Sequence, residues 1–112
     1  MKQEISFDDF LKVDLRIGTI IGVNDFPKAR KPAYQLIIDF GALGTKKSSA
    51  QITELYTKED LLQRQVSAIV NFKPRQIANF MSECLVLGLY NEDGHVVLLK
   101  SATTTKNGEQ IV

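Results

Sequence analysis

The sequence predicts an all-β domain that closes into a small β-barrel with short helices. Short apolar segments recur along the chain and are separated by Gly, Pro, Asn and Asp residues, which is typical of strands and turns. Only two short stretches carry the capping residues that begin a helix. With 112 residues, 44% of them apolar and 24% charged, the chain is predicted to form one domain, residues 1–112, with its own core.

The first element is predicted to be a helix over Ser6–Lys12. Ser6 is a suitable N-cap, and two aspartates follow it at the positive end of the helix dipole. Its apolar side chains share one face, which needs an apolar partner in the same core or in a second subunit. These side chains are Phe7, Phe10 and Leu11.

A long strand is predicted over Val13–Val23, where apolar and other residues alternate. Gly18 and Gly22 inside it indicate a bulge or a sharp curve, which a small barrel requires. After a turn that contains Pro27, two further strands are predicted. They cover Tyr34–Phe40 and Lys46–Ile52.

The second half continues the pattern. A helical turn capped by Thr57 is predicted within Leu55–Leu62, and the segment after Pro74 is predicted to be helical around Phe80 and Met81. The remaining strands are predicted at Val66–Phe72, Cys84–Tyr90 and Val96–Leu99, the last two joined by a hairpin turn at Asn91–Gly94. Five or more strands with a helical element between the third and fourth favour the OB-fold barrel.

Positive charge is concentrated in one part of the chain. The formal net charge is only +1, yet residues 26–52 carry five Lys or Arg against Asp39 alone. Lys28, Arg30 and Lys31 lie in one predicted loop, and Lys73 and Arg75 flank a proline in another. Stiff cationic loops on a small β scaffold indicate a binding module for a polyanion, although single lysines are more often solvated surface.

Candidate ligand contacts lie near these loops, and each has a structural alternative. Arg16 could bind phosphate or pair with a nearby carboxylate such as Asp14 or Asp39. Polar residues near the loops could bind a nucleotide or instead cap turns and close the barrel. The predicted nucleic-acid contacts are Arg16, Lys28, Arg30, Lys31, Ser48, Ser49, Asn71, Lys73, Arg75 and Ser82.

Three apolar residues are candidates for contact with a polypeptide. Phe and Met side chains make adaptable contacts when they line an exposed hollow. The alternative is that they belong to the core or to a dimer interface, which base rates favour for Phe72. The predicted peptide contacts are Phe72, Phe80 and Met81.

Several function classes receive no support from the residues. Cys84 is predicted to be a buried small hydrophobe, and the chain has one histidine, so neither a zinc-ligand set nor a nucleophile–base pair is predicted. We expect no enzyme activity, metal or cofactor. Without an apolar run of about 20 residues or a signal sequence, we expect no membrane insertion and a cytoplasmic location.

Several segments form motifs that occur in the same order in a known family. These segments are Phe7–Ile20, Phe26–Tyr34, Ile38–Gly41, Ser48–Thr53, Asn71–Ile77 and Ser82–Gly88. Taken together, they resemble the tRNA-binding OB-fold family, in particular its CsaA-like members, and the resemblance covers roughly residues 5–111. The family also includes free-standing dimeric tRNA-binding proteins and domains appended to some methionyl- and phenylalanyl-tRNA synthetases.

The resemblance implies an OB-fold core whose N- and C-terminal extensions build a homodimer. It also implies chaperone-like binding of unfolded or export-bound polypeptides, with export machinery as a further partner, and affinity for tRNA. The alternative is a tRNA-binding protein that acts in translation without a peptide client. The residues expected at the dimer interface are Phe7, Phe10, Leu11, Val97 and Leu99.

Overall fold

A computed structural model describes the whole chain, Met1–Val112, as a five-stranded antiparallel sheet that curls into a nearly closed barrel. Two small hairpins are attached to this sheet, and the strand order within it is β3-β2-β1-β4-β7. The elements are α1 (Phe7–Leu11), β1 (Leu15–Asp25), β2 (Tyr34–Asp39), a 3-10 turn (Gly41–Leu43), β3 (Thr45–Ala50), α2 (Lys58–Leu61), β4 (Gln65–Ile69), β5 (Arg75–Ile77), β6 (Phe80–Ser82), β7 (Leu85–Val86), β8 (Gly88–Tyr90) and β9 (Val96–Leu98). The prediction of an all-β barrel is confirmed.

The two helices predicted with N-caps are present, and each begins at its predicted cap. The Ser6 hydroxyl accepts a hydrogen bond from the Asp9 N–H, while the Asp9 carboxylate accepts one from the Ser6 N–H. Thr57 and Asp60 form the same reciprocal pair at α2. Capping boxes satisfy backbone donors locally, and this explains why the sequence alone locates these helix starts. Neither helix has the length and apolar character needed to cross a bilayer.

Strand β1 organises the barrel because it pairs with three segments. Its first half pairs with β4 and its second half with β2, with a bulge between Ile20 and Gly22. The C-terminal segment lies along the remaining edge of the first half, where the Gly108 N–H donates to the Ile17 carbonyl at 2.7 Å. The predicted bulge is therefore present, and it lies within the stretch of β1 that pairs with β2.

The core fills the inside of the barrel with aliphatic side chains around one aromatic ring. Phe40 is fully buried, and Ile20, Leu36, Ile38, Leu61 and Val66 are fully buried with it. Gly18 faces this cluster: a Cβ atom there would lie 2.7 Å from atoms of Ile38 and Phe40. The absence of a side chain at residue 18 thus makes room for the Phe40 ring.

The barrel closes between β3 and residues 82–84 through an irregular seam rather than a regular ladder. The Glu83 N–H donates to the Lys47 carbonyl at 2.7 Å, and the Lys47 N–H donates back to the Glu83 carboxylate at 2.9 Å. One residue further along β3, the Ser48 hydroxyl donates to the Cys84 carbonyl at 2.9 Å. The side chains of this seam replace the backbone partners that a continuous strand would supply.

Two sequence predictions about this region are wrong. Phe80 and Met81 do not lie in a helix; they belong to β6, which pairs with β5 through a tight turn in which Ala78 has a positive φ of 51°. The strand predicted over Cys84–Tyr90 is divided at Leu87. Leu87 donates to Ser67 and accepts from Leu99, so the chain changes partner there from β4 to β9.

Candidate ligand-binding groove

A groove of about 1540 Å³ is lined in part by the two loops in which the sequence shows clustered basic residues. It is bordered by the β1–β2 loop, the end of β3, the β5 hairpin and the segment from Cys84 to Tyr90. We call it the groove below. Its lining residues are Ala29, Arg30, Lys31, Ala33, Ser49, Ala50, Gln51, Ile52, Phe72, Lys73, Arg75, Gln76, Ile77, Ala78, Ser82, Glu83, Cys84, Leu85, Val86, Leu87, Gly88, Leu89, Tyr90 and Val96.

The groove is mainly apolar, since 14 of its 24 lining residues are hydrophobic. Some of these side chains, such as Ile52, belong to the buried core, whereas Leu85, Leu89 and Tyr90 are exposed large apolar residues of the lining segment from Cys84 to Tyr90. Exposed apolar side chains that line a concave surface are typical of interaction sites. The groove therefore offers a continuous apolar surface to a partner.

Four cations line the groove. Arg30 and Lys31 come from the β1–β2 loop, and Lys73 and Arg75 come from the segment that leads into β5. All four are exposed, and none forms a salt bridge. The single carboxylate among the lining residues, Glu83, is engaged with the Lys47 N–H in the seam. The charge around the groove is therefore strongly positive, which favours anionic ligands.

Seven of the predicted contact residues are brought together in the groove: Arg30, Lys31, Ser49, Phe72, Lys73, Arg75 and Ser82. Phe72 is 55% exposed, so it does not occupy a core position, which was one of its two structural alternatives. Strand β4 ends at Ile69, earlier than predicted, and Phe72 lies beyond the ladder rather than inside the sheet. Ser49 and Ser82 lie side by side, with the Ser49 N–H donating to the Ser82 hydroxyl at 3.0 Å.

Three other candidates hold the fold instead of lining the groove. Arg16 forms a salt bridge with Asp14 at 2.6 Å and donates to the Gly108 carbonyl at 3.1 Å. Ser48 is fully buried in the seam, so the prediction that it contacts a ligand is wrong. The Asn71 amide donates to the Lys12 carbonyl and accepts from the Asp14 N–H. The contacts of these three residues are therefore those of the structural alternative, in which polar side chains form ion pairs and hydrogen bonds within the protein.

The remaining candidates lie outside the groove lining. Lys28 is exposed in the same loop as Arg30. Phe80 is half-buried against Phe26, with ring centroids 5.5 Å apart, and Met81 is exposed on the neighbouring position of β6. The segment was predicted to be helical, but it is a strand. In a strand, neighbouring side chains such as those of Phe80 and Met81 point to opposite faces.

Sequence reasoning missed the apolar wall of the groove. Leu85, Leu89 and Tyr90 lie in a run that reads as a strand buried on one face. Alternation within a run predicts which residues share a face, but it does not reveal that the strand breaks at Leu87 and leaves the wall exposed. No group of three or more His, Cys, Asp or Glu side chains is placed to hold a metal ion.

Cys84 lies at the inner edge of the groove, behind the seam. It is buried, and burial raises the pKa of its thiol from 9.0 to about 11, a shift that the hydrogen bond with Ser48 opposes. Because the thiolate is the reactive form, a neutral buried thiol is a poor nucleophile. Cys84 is thus an apolar component of the wall between the core and the groove.

We expect native Cys84 to react slowly with iodoacetamide at pH 8 and at the rate of an ordinary thiol after unfolding in urea. The raised pKa also means that ionisation opposes folding, so the free energy of unfolding should fall as pH rises from about 9 to 11. A Cys84→Val variant should lose this part of the alkaline dependence. Equal alkylation rates in native and unfolded protein would contradict the assignment.

The family of the chain follows from its matches to known proteins. Residues 15–110 match the family described as "Putative tRNA binding domain". The methionine–tRNA ligase of Bacteroides fragilis is 34% identical over 111 residues, covering 99% of this chain and 16% of that enzyme. The chain thus spans about one sixth of the length of these curated relatives.

Solved structures resemble the chain over nearly its whole length. The crystal structure of chaperone CsaA from Bacillus anthracis has a TM-score of 0.93 and 51% identity, covering 98% of this chain and 100% of that one. The CsaA chaperone of Picrophilus torridus has a TM-score of 0.92 and 49% identity, covering 97% and 100%. With its barrel, its groove and the match over residues 15–110, the chain belongs to the family of tRNA-binding domains.

Proposed function

We propose that this protein is a CsaA-like chaperone: a homodimer that binds unfolded or export-bound polypeptides and also binds tRNA, acting in the cytoplasm without catalysing a reaction. The observation that carries the proposal is the composition of the groove, in which four unpaired cations surround a mainly apolar surface. The likeness to two chaperones over nearly the whole chain supports the polypeptide part. The family match supports the tRNA part.

The cations account for RNA binding. Arg30 and Lys31 from one loop and Lys73 and Arg75 from another can contact phosphates of a backbone that runs along the groove. The exposed Phe72 ring, next to Lys73, offers a face on which an unpaired base can stack. Such contacts recognise a polyanion with little dependence on its sequence.

The apolar wall accounts for polypeptide binding. Leu85, Leu89 and Tyr90 are exposed along the groove, and an unfolded segment can bury its own apolar side chains against them. The neighbouring cations favour segments that also carry carboxylates. Because RNA and polypeptide would use the same groove, we expect the two ligands to compete.

Competition is the experiment that tests the proposal. Fluorescence anisotropy of labelled tRNA would be measured at about 50 and 200 mM salt, with unfolded, reduced and alkylated α-lactalbumin as competitor. The proposal predicts salt-sensitive tRNA binding that the unfolded protein displaces and the folded form of the same protein does not. Binding of tRNA without displacement would favour the alternative, a tRNA-binding protein without a peptide client. The absence of binding to either ligand would contradict both.

The N-terminal helix is the proposed centre of the dimer interface. Phe7 is 71% exposed, its ring lies 6.0 Å from that of Phe10, and α1 has no buried residue. Leu99 is also exposed, and Val97 is half-buried. An exposed Phe7 beside a half-buried Phe10, on a helix that begins at a complete capping box, is best explained by a partner surface.

Replacing Phe7 and Phe10 with aspartate should convert the dimer to a monomer, because two charges would be buried without partners in the interface. Light scattering would measure the mass, and circular dichroism would check that the barrel is retained. Matched replacements of Leu43 and Leu55, two exposed leucines outside the proposed interface, should leave the mass unchanged. A dimer mass for the Phe7 and Phe10 variant would contradict this interface.

A further inference from the structure

A second cleft, of about 510 Å³, lies between the α2–β4 connection and residues 100–104. It shares no residue with the groove, and only two of its eleven lining residues are hydrophobic. Its volume is in the range of sites that hold a nucleotide-sized molecule. The lining of this cleft is therefore mainly polar, whereas the lining of the groove is mainly apolar.

The segment from Lys100 to Thr104 forms part of the cleft lining. It lies outside every helix and strand, and none of its five N–H groups donates to an acceptor within the protein. The segment is nonetheless anchored on its C-terminal side, because the Thr105 N–H donates to the Gln65 side chain at 3.1 Å. Backbone N–H groups that have no acceptor within the protein are available to an anion bound in the cleft.

Two cations complete the cleft. Lys100 belongs to the same segment and forms no salt bridge. The Arg64 guanidinium lies 5.1 Å from the centre of the Tyr56 ring, and its Nε–H donates to the Asp60 carbonyl at 3.4 Å, so a cation–π contact and a backbone hydrogen bond hold this side chain. The one carboxylate, Asp60, is used in the α2 capping box, where its oxygen accepts from the Thr57 N–H. The hydroxyl groups of Thr103 and Thr104 add further donors.

We propose that this cleft binds a phosphate group, with Lys100 and Arg64 supplying charge and the N–H groups of Lys100–Thr104 supplying hydrogen bonds. The phosphate can belong to a free nucleotide or to the backbone of a bound RNA. The inference does not depend on what the groove binds, because the two sites have no residue in common.

The test is a titration of ¹⁵N-labelled protein with inorganic phosphate and then with AMP, followed by amide chemical shifts. The amides of residues 100–104 should shift and reach saturation. Lys100→Gln should weaken this binding about tenfold, the effect of losing one charge-assisted hydrogen bond. Lys2→Gln removes the same charge from the exposed N-terminal segment and should have no such effect.

A titration with tRNA separates the two sources of phosphate. If the RNA backbone occupies the cleft, Lys100→Gln also lowers the salt dependence of tRNA binding by about one unit of log–log slope. If only free nucleotides bind, tRNA affinity is the same in Lys100→Gln and Lys2→Gln while AMP binding still differs. Shifts that do not saturate, or equal losses in the two variants with every ligand, would overturn the proposal. Arg64→Lys, which keeps the charge but loses the planar fork, provides a second variant with the same expected direction.

Discussion

Replacing Arg30, Lys31 and Arg75 with glutamine should weaken tRNA binding about 100-fold at about 50 mM salt. The three cations come from two separate segments that line the groove, and none has a carboxylate partner in the protein. Each phosphate contact releases condensed counterions, so losing three contacts should also lower the log–log salt slope by about two to three. Anisotropy at several salt concentrations measures both quantities.

A matched variant separates this local effect from a change in net charge. Lys2, Lys58 and Lys106 lie outside the groove, and their replacement with glutamine changes the formal charge equally. Lys58 pairs with Asp25 at the surface, an interaction that contributes little to stability. We expect this control to keep most of the affinity. Equal losses in the two triple variants would show that RNA responds to overall charge and not to the groove.

Local chemistry made the helices and most strands predictable. A capping box involves residues three positions apart, so the residues that follow Ser6 and Thr57 are enough to predict where each helix begins. Likewise, the Asn91–Gly94 turn and the β9 strand that follows it are encoded in neighbouring residues. Helix caps and hairpin turns depend on residues that are close in the sequence, and for this reason they can be predicted from a single sequence.

The groove and the seam depend on contacts between distant residues, and this is why the site was predicted only in part. The basic residues of the two loops form clusters in the sequence. That both loops line one groove depends on how the barrel closes, which the sequence pattern does not show. Ser48 and Asn71 look like surface polar residues in sequence, yet their partners, Cys84 and Lys12, are 36 and 59 residues away. Polar side chains with distant partners cannot be separated from ligand contacts by pattern alone.

Replacing Gly18 with alanine should lower the free energy of unfolding by about 2 kcal/mol, within the range for overpacked cores. The added Cβ would lie 2.7 Å from Ile38 Cγ2 and 2.7 Å from Phe40 Cε1, closer than real Cβ contacts come. Both neighbours are fully buried, so neither side chain can turn towards solvent to relieve the clash. In the sequence, Gly18 indicates curvature of the strand. Because it also lies close to Phe40, its lack of a side chain is needed for the packing of the core.

Urea unfolding followed by circular dichroism, at fixed protein concentration, measures the effect. Gly22→Ala is the control: its added Cβ would meet the Ile37 side chain at 3.2 Å, and Ile37 is partly exposed and can move. The loss there should be well under half that of Gly18→Ala. Combining Gly18→Ala with Phe40→Leu should cost less than the sum of the two single changes, because the smaller side chain vacates space that the new methyl group needs. Strictly additive losses would mean that Gly18 serves the backbone of β1 and not the packing of Phe40.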